Sequence, residues 1–138
     1  MTKEKEEAGS HIEDVTYNVF KVGEKEFLLP VDTVREIIEI SRIFPIPMAP
    51  DYIFGAVPLH GGRVIPAIDL SKIHPTGEPL YTNAKLVVVN AGKENIGFLS
   101  ETIPYLVSFS PDIPVDGLIN VDEFFETYRV KGPWHGRT

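Results

Sequence analysis

Four histidines, at positions 11, 60, 74 and 135, are the side chains best suited to proton transfer or metal binding near neutral pH. They are scattered. No two stand at i and i+4, and none joins carboxylates at a spacing that would hold zinc. The chain has no phosphate-cradling glycine loop followed by Lys and Ser or Thr, no strand–GxGxxG–helix unit and no nucleophile elbow. Gly61-Gly62 reads as a hairpin turn, the ordinary use of paired glycines. Zero cysteines remove thiolate nucleophiles, thiolate zinc sites, iron–sulfur clusters and disulfides. The residues therefore read as non-catalytic, with no metal and no cofactor.

Composition narrows the partners. The chain has 138 residues, of which 43% are hydrophobic and 24% charged, the balance of a globular domain rather than of a disordered chain. Its 20 acidic and 13 basic side chains leave a net charge of −7. That charge repels phosphate backbones and anionic lipid surfaces, and the only basic cluster is the short tail Arg129, Lys131 and Arg137. Nucleic acid is not expected as a partner. Direct membrane insertion is not expected either, because the longest aliphatic run, Leu86 to Val89, is far below the ~20 residues that span a bilayer. The charged opening MTKEKEEAGS lacks the apolar stretch of an export signal, so a soluble, cytoplasmic protein is expected. Residues 1–14 carry no periodicity and read as a flexible arm ahead of one domain over 15–138.

Twelve prolines and eleven glycines are spread along the chain, so that the longest stretches free of both are residues 31–44 and 118–131, 14 residues each. Helix bundles do not tolerate such punctuation, whereas short strands joined by turns do. Val15, Tyr17 and Val19 alternate with Thr16 and Asn18, which predicts a strand with one face on a core and one in water. Gly23-Glu24 then turns into a partner strand over Lys25 to Leu29. A second hairpin is predicted from Lys85–Val89 and Asn95–Leu99 across Asn90-Ala91-Gly92-Lys93, and a further turn at His60-Gly61-Gly62-Arg63 between apolar runs. Ile103, Tyr105, Val107 and Phe109 form another strand, which Pro104 assigns to an edge or a strand start. One short helix is predicted after Pro30, where Val31, Val34, Ile37 and Ile38 recur at helical spacing and Thr33 with Glu36 forms a capping box. Asp69 is placed to cap a short turn at Leu70 to Ile73.

Residues 34–70 carry a series that resembles the CheW family of chemotaxis coupling proteins. The pieces are Val34-Arg35-Glu36-Ile37, Pro47-Met48-Ala49-Pro50-Asp51-Tyr52-Ile53 with Gly55, Leu59-His60-Gly61, and Val64-Ile65-Pro66-Ala67-Ile68-Asp69-Leu70. Phe20 to Leu29 and Leu86 to Ile103 with Gly97 resemble the flanking sections, so the likeness covers about residues 15–121. The resemblance implies a mostly β fold of two small SH3-like five-stranded β-barrels packed on a shared hydrophobic core, with one short helix. It also implies a non-catalytic adaptor that binds the regulatory domain of a CheA-type histidine kinase and the cytoplasmic signalling tip of a chemoreceptor, at membrane-associated receptor arrays.

Carried onto this chain, the resemblance assigns Val34, Glu36, Ile38, Leu59, His60 and Arg63 to partner binding, and Pro47, Pro50, Gly55, Gly61, Gly62 and Pro66 to shaping turns and bends. For Glu36 the competing role is the capping box with Thr33, and for Val34 and Ile38 it is the core. Two departures stand out. The family's Asn-Leu-Arg-Gly becomes Pro58-Leu59-His60-Gly61, with one extra residue before Pro66, so that Arg63 is the nearest guanidinium. The family's C-terminal helix reads as absent, because Phe124 to Val130 looks like a strand and Gly132-Pro133-Trp134-His135-Gly136 halts any helix. Phe124, Phe125, Tyr128 and Trp134 then either pack over a barrel mouth or line an exposed groove. The alternatives to the two-partner adaptor are a divergent member that binds one partner in a pilus or gliding pathway, and an unrelated ligand-binding barrel.

Overall fold

The computed structural model describes residues 13–128. The arm expected at 1–14 therefore falls, apart from Glu13 and Asp14, outside the described residues, as do Trp134 and the basic tail. Eight strands follow in order: β1 (Val15–Val22), β2 (Lys25–Pro30), β3 (Val34–Glu39), β4 (Ile53–Pro58), β5 (Val64–Ile68), β6 (Lys85–Ala91), β7 (Glu94–Ser100) and β8 (Tyr105–Phe109). One helix, α1 (Val121–Tyr128), closes the described chain. The fold is mostly β, in two sheets.

The larger sheet has the order β3-β6-β7-β5-β4 and the smaller β2-β1-β8. The predicted hairpins β1–β2 and β6–β7 form, and β8 begins just after Pro104 at a sheet edge, where the missing N–H costs no ladder bond. β5 pairs in parallel with β7 only at Ala67 and Ile68, immediately past Pro66. The chain beyond β3 then returns to β4: Phe44 N–H donates to the Ala56 carbonyl at 2.9 Å, and Ala56 N–H to the Phe44 carbonyl at 2.7 Å. These bonds bring the two ends of the larger sheet around toward each other. In the smaller unit the described sheet has three strands, and Pro111 and Pro114, which lack the N–H a ladder needs, follow β8. A parallel bridge of Leu28 with Leu118 borders β2, with Leu28 N–H donating to Gly117 and Ile119 N–H to Leu28.

Alternation distributes the strand residues over three cores. Leu86, Val88 and Leu99 fill the larger unit with Val57, Ile65 and Ala67. Their neighbours Val87, Val89 and Phe98 point the other way and meet Phe20, Val22, Phe27 and Leu29 of the smaller unit, together with Phe124 and Phe125 of α1, in a core shared by both. Tyr17, Val19 and Leu28 form the third cluster. β1 is therefore covered on both faces, and even Asn18 is buried. The wet face expected from its alternation does not exist, because Phe20 and Val22 carry the polar-side register into the shared core.

Two helix expectations are corrected. Residues 31–38 hold only a 3-10 turn at Val31–Thr33, followed by β3. Thr33 Oγ1 donates back to the Pro30 carbonyl at 2.7 Å, so the capping box with Glu36 is not made. The β-branched Val34, Ile37 and Ile38 suit a pleat, and pairing with β6 over Glu36 to Glu39 supplies the ladder that a lone short helix would have lacked. Conversely, the strand expected from Phe124 is α1. Asn120 Oδ1 caps it by accepting from Glu123 N–H at 3.0 Å, Asp122 and Glu123 occupy its positive end, and Val121, Phe124, Phe125 and Tyr128 share one face at i, i+3, i+4 and i+7. A C-terminal helix is thus present.

Asp69 caps as expected, accepting at Oδ1 from Ser71 N–H (3.0 Å), Ser71 Oγ (2.7 Å) and Tyr81 OH (2.7 Å). Burial, and then the bond to Asp69, push the Tyr81 phenol well above its ordinary value. His74 packs its ring 5.5 Å from that of Phe27, and burial, helped by Lys25, lowers its pKa.

Two stability predictions follow from this packing. A Cβ at Gly97 would lie 2.5 Å from Leu86 Cγ, itself fully buried, so Gly97→Ala should lower unfolding free energy by about 1–3 kcal/mol at unchanged urea slope. Because His74 is held neutral, the unfolded chain binds its proton first. Its stabilisation should be complete above the unfolded value near 6.5 and decline as pH falls toward the lower folded value, so urea midpoints of His74→Gln should fall less than those of the parent between neutral and acidic pH.

Candidate docking surface

Glu36 and Ile38, paired with Val88 and Leu86 of β6, share one side of β3, while a register shift between Val34 and Glu36 turns Val34, paired with Val89, to the other side. Val34 leans on the shared core and Ile38 on the core of the larger unit. Leu59, His60 and Arg63 belong to the connection from β4 to β5. That connection is a 3-10 turn at His60–Gly62, closed by Leu59 N–H donating to the Arg63 carbonyl at 2.8 Å. Gly61 and Gly62 have φ of 76° and 77°, which is how the turn accommodates the additional residue.

Curling of the larger sheet brings these two segments into contact. Arg63 Nη2 donates to Glu36 Oε2 at 3.1 Å, across 27 positions of sequence. The two side chains are 43% and 38% exposed, so the pair is a surface contact worth at most about 1 kcal/mol. Beside it, Ile38, Leu59 and His60 line a cleft of about 410 Å³ with Glu39, Ser41, Arg42, Val57 and Pro58. All six residues assigned to partner binding thus come from β3 and one turn; Glu36 touches Arg63, Ile38 meets Leu59 and His60 at the cleft, and Val34 lies inward.

Several apolar groups around this surface escape a sequence reading. Phe44 stands opposite Ala56 and is 47% exposed, Phe54 is 46% and Val64 59%, and Arg42 sits 5.1 Å above the Phe44 ring. Their signal was the alternation of Ala56 and Pro58 with inward Gly55 and Val57, Phe54 standing where the β4–β5 register shifts between Ile53 and Gly55. It becomes legible only once β4 is known to have a covered and an open face. Met48 is 99% exposed at φ 66°, a left-handed conformation unusual for its type, in the loop that Pro47 and Pro50 flank. Gly55 and Pro66, expected at bends, stand inside β4 and β5. A Cβ at Gly55 would meet Ile43 at 2.3 Å and the Phe44 carbonyl at 2.6 Å, so this glycine admits the returning chain.

The aromatic groups near the end of the described chain are accounted for by packing. Phe124 and Phe125 are buried, and Tyr128 rests 4.7 Å from Phe124 and 5.4 Å from Tyr52, whose hydroxyl donates to the Tyr128 carbonyl. The exposed-groove reading fails for these three rings.

Residues 16–121 match the family described as the CheW-like domain. The chain belongs to the CheW-like domain family. This CheW-like chain is 27% identical to chemotaxis protein CheW of Thermotoga maritima over 84 residues, 61% of this chain and 55% of that protein. It is 29% identical to protein FrzA of Myxococcus xanthus over 85 residues, 61% and 52% of the two chains. Against chemotaxis protein CheW of Rhizobium meliloti it is 29% identical over 106 residues, 70% and 67% of the two. The match spans about half the length of the first two relatives. In fold, the scaffolding protein TtCheW from Thermoanaerobacter tengcongensis superposes with a TM-score of 0.66 at 24% identity, over 88% of this chain and 80% of that one. Among the described residues no helix is long and apolar enough to cross a membrane.

Because the Glu36–Arg63 pair is solvent-exposed, Glu36→Ala and Arg63→Ala should each shift the unfolding free energy by less than about 1 kcal/mol in thermal or urea melts. A loss of binding in either variant would then report the surface and not the fold.

Proposed function

We propose that this CheW-like chain is a non-catalytic adaptor of chemotaxis-type signalling. It couples chemoreceptors to a CheA-type histidine kinase in the cytoplasm, at membrane-associated receptor arrays. The observation that carries the reading is the meeting of Glu36, the family's V-x-E-I glutamate, with Arg63, on the two segments whose Ile38, Leu59 and His60 line a cleft, in a chain matching the family over residues 16–121. In that role the chain performs no bond chemistry. It supplies a rigid sheet surface whose apolar groups, Ile38, Leu59 and Phe44, provide desolvation, while Glu36, Arg63 and Arg42 set register by charge. Rigidity matters because a coupling protein transmits state through its partners' relative placement, and a strand-borne surface loses little entropy on docking.

His60 stands where the family has arginine, and this favours a second reading in which one of the two contacts is lost. The guanidinium of Arg63, three residues on and already directed at Glu36, supports retention of both.

Titration calorimetry against a histidine-kinase regulatory domain and, separately, against a receptor signalling-tip fragment tests the proposal. Binding to both is expected. Glu36→Ala and Arg63→Ala should weaken at least one of the contacts by about tenfold or more, because each leaves a charge unpaired at a forming interface. Binding to one partner alone would select the specialised adaptor. Failure of the folded chain to bind either would overturn the function.

A further inference from the structure

Exposed strand edges invite pairing, and natural sheets blunt them with charges, prolines, bulges or covering segments. β3 carries Arg35, Glu36 and Glu39, β4 is covered by the returning chain at Phe44, and β2 is bridged at Leu118. β8 differs. Among the described residues no strand lies against its outer side, and from Thr102 to Ser110 the sequence has no charged residue. Tyr105 is 49% and Leu106 62% exposed.

We propose that the outer edge of β8 pairs antiparallel with β8 of a second copy of this chain, joining the two smaller sheets into one six-stranded sheet of order β2-β1-β8-β8-β1-β2. Three observations favour a second copy over another partner. First, the chain carries a charge of −7, so two copies repel at most faces but meet here along a strand with no charged residue of its own, the neighbouring carboxylate of Glu26 being held by the Tyr105 hydroxyl at 2.8 Å. Second, the strand is self-complementary. A two-fold axis at Val107 sets Tyr105 opposite Phe109 twice, an aromatic cross-strand pair on each side of the axis, and Leu106 opposite Ser108. Third, Pro104 and Pro111 lack the N–H needed to extend the ladder, so shifted registers lose pairs and the centred one keeps all five residues. Such a contact is small and therefore weak, a contact that forms at high local concentration.

Sedimentation of the full chain from about 10 µM to about 1 mM is the test, and the mass should rise toward that of a dimer. Added salt should strengthen the association, since it screens the repulsion between acidic copies, Glu26 beside Tyr105 included, while the paired strands carry no charged residue. Leu106→Lys, at an exposed position, should abolish dimerisation with the melting temperature unchanged. The chain has no cysteine, so Val107→Cys, and an equimolar mixture of Leu106→Cys with Ser108→Cys, should form intermolecular disulfides about tenfold or more faster than Lys93→Cys at the β6–β7 turn. A monomer throughout, or crosslinking no faster than Lys93→Cys, would overturn the proposal. Slow amide exchange along the outer edge of β8 in such a monomer would assign the edge to the chain's own terminal segments instead. None of these readouts involves a kinase or receptor, so the proposal stands or falls apart from the adaptor function.

Discussion

The junction of the two β units rests on a run of rings, two contacts stacked and one edge-to-face. Phe20 of β1 lies 6.1 Å from Phe98 of β7, with Phe27 of β2 5.8 Å beyond it on one side and Phe124 of α1 5.1 Å from Phe98 on the other. One aromatic series thus ties the hairpin of the smaller unit, the centre of the larger sheet and the terminal helix. These rings each bury a large apolar area and prefer definite offsets, so they restrain relative orientation as well as contributing stability. The two units share this core and are held as one body, which is the condition for a surface on β3 and the β4–β5 turn to keep its shape when loaded by a partner.

The second requirement is curvature. Glu36 and Arg63 sit at opposite ends of the larger sheet's strand order, and a flat sheet would hold them apart. The return of the chain at Phe44 onto Ala56, admitted by the missing side chain of Gly55, bends the sheet until an arginine and a glutamate 27 positions apart reach hydrogen-bonding distance. The ion pair is a consequence of that closure and contributes little to it. It presents two opposite charges in a defined arrangement, the feature on which the proposed docking surface relies.

Much of the architecture was legible in residue order because turns and alternation are local. Gly23-Glu24, Gly92-Lys93 and His60 to Arg63 placed three connections, Pro104 placed an edge, and Asp69 placed a cap. The failures have a common cause. Residues 31–38 satisfy a helical period and a capping spacing, while 124–128 offer Phe-Phe and Thr-Tyr, types favoured in strands. In each case a partner absent from the local sequence decided the matter, β6 for the first and the shared core for the second, where Asn120 adds a local cap. β1 illustrates the same limit, since alternation announces two faces but not whether water or another sheet lies against the second.

The sequence alone determined the β-rich class, the strand punctuation, the acidic charge and the family pattern over 34–70, because each depends on residue type and short spacing. Only the tertiary structure decided that Glu36 faces Arg63, that Phe44 and Phe54 stay exposed, that a helix closes the described chain, and that among the described residues no strand lies on the outer side of β8. Those facts are set by which strands pair and how the sheet closes. Pairing is a competition among distant segments for the same hydrogen bonds and the same apolar cover, and no local run of residues contains the terms that settle it.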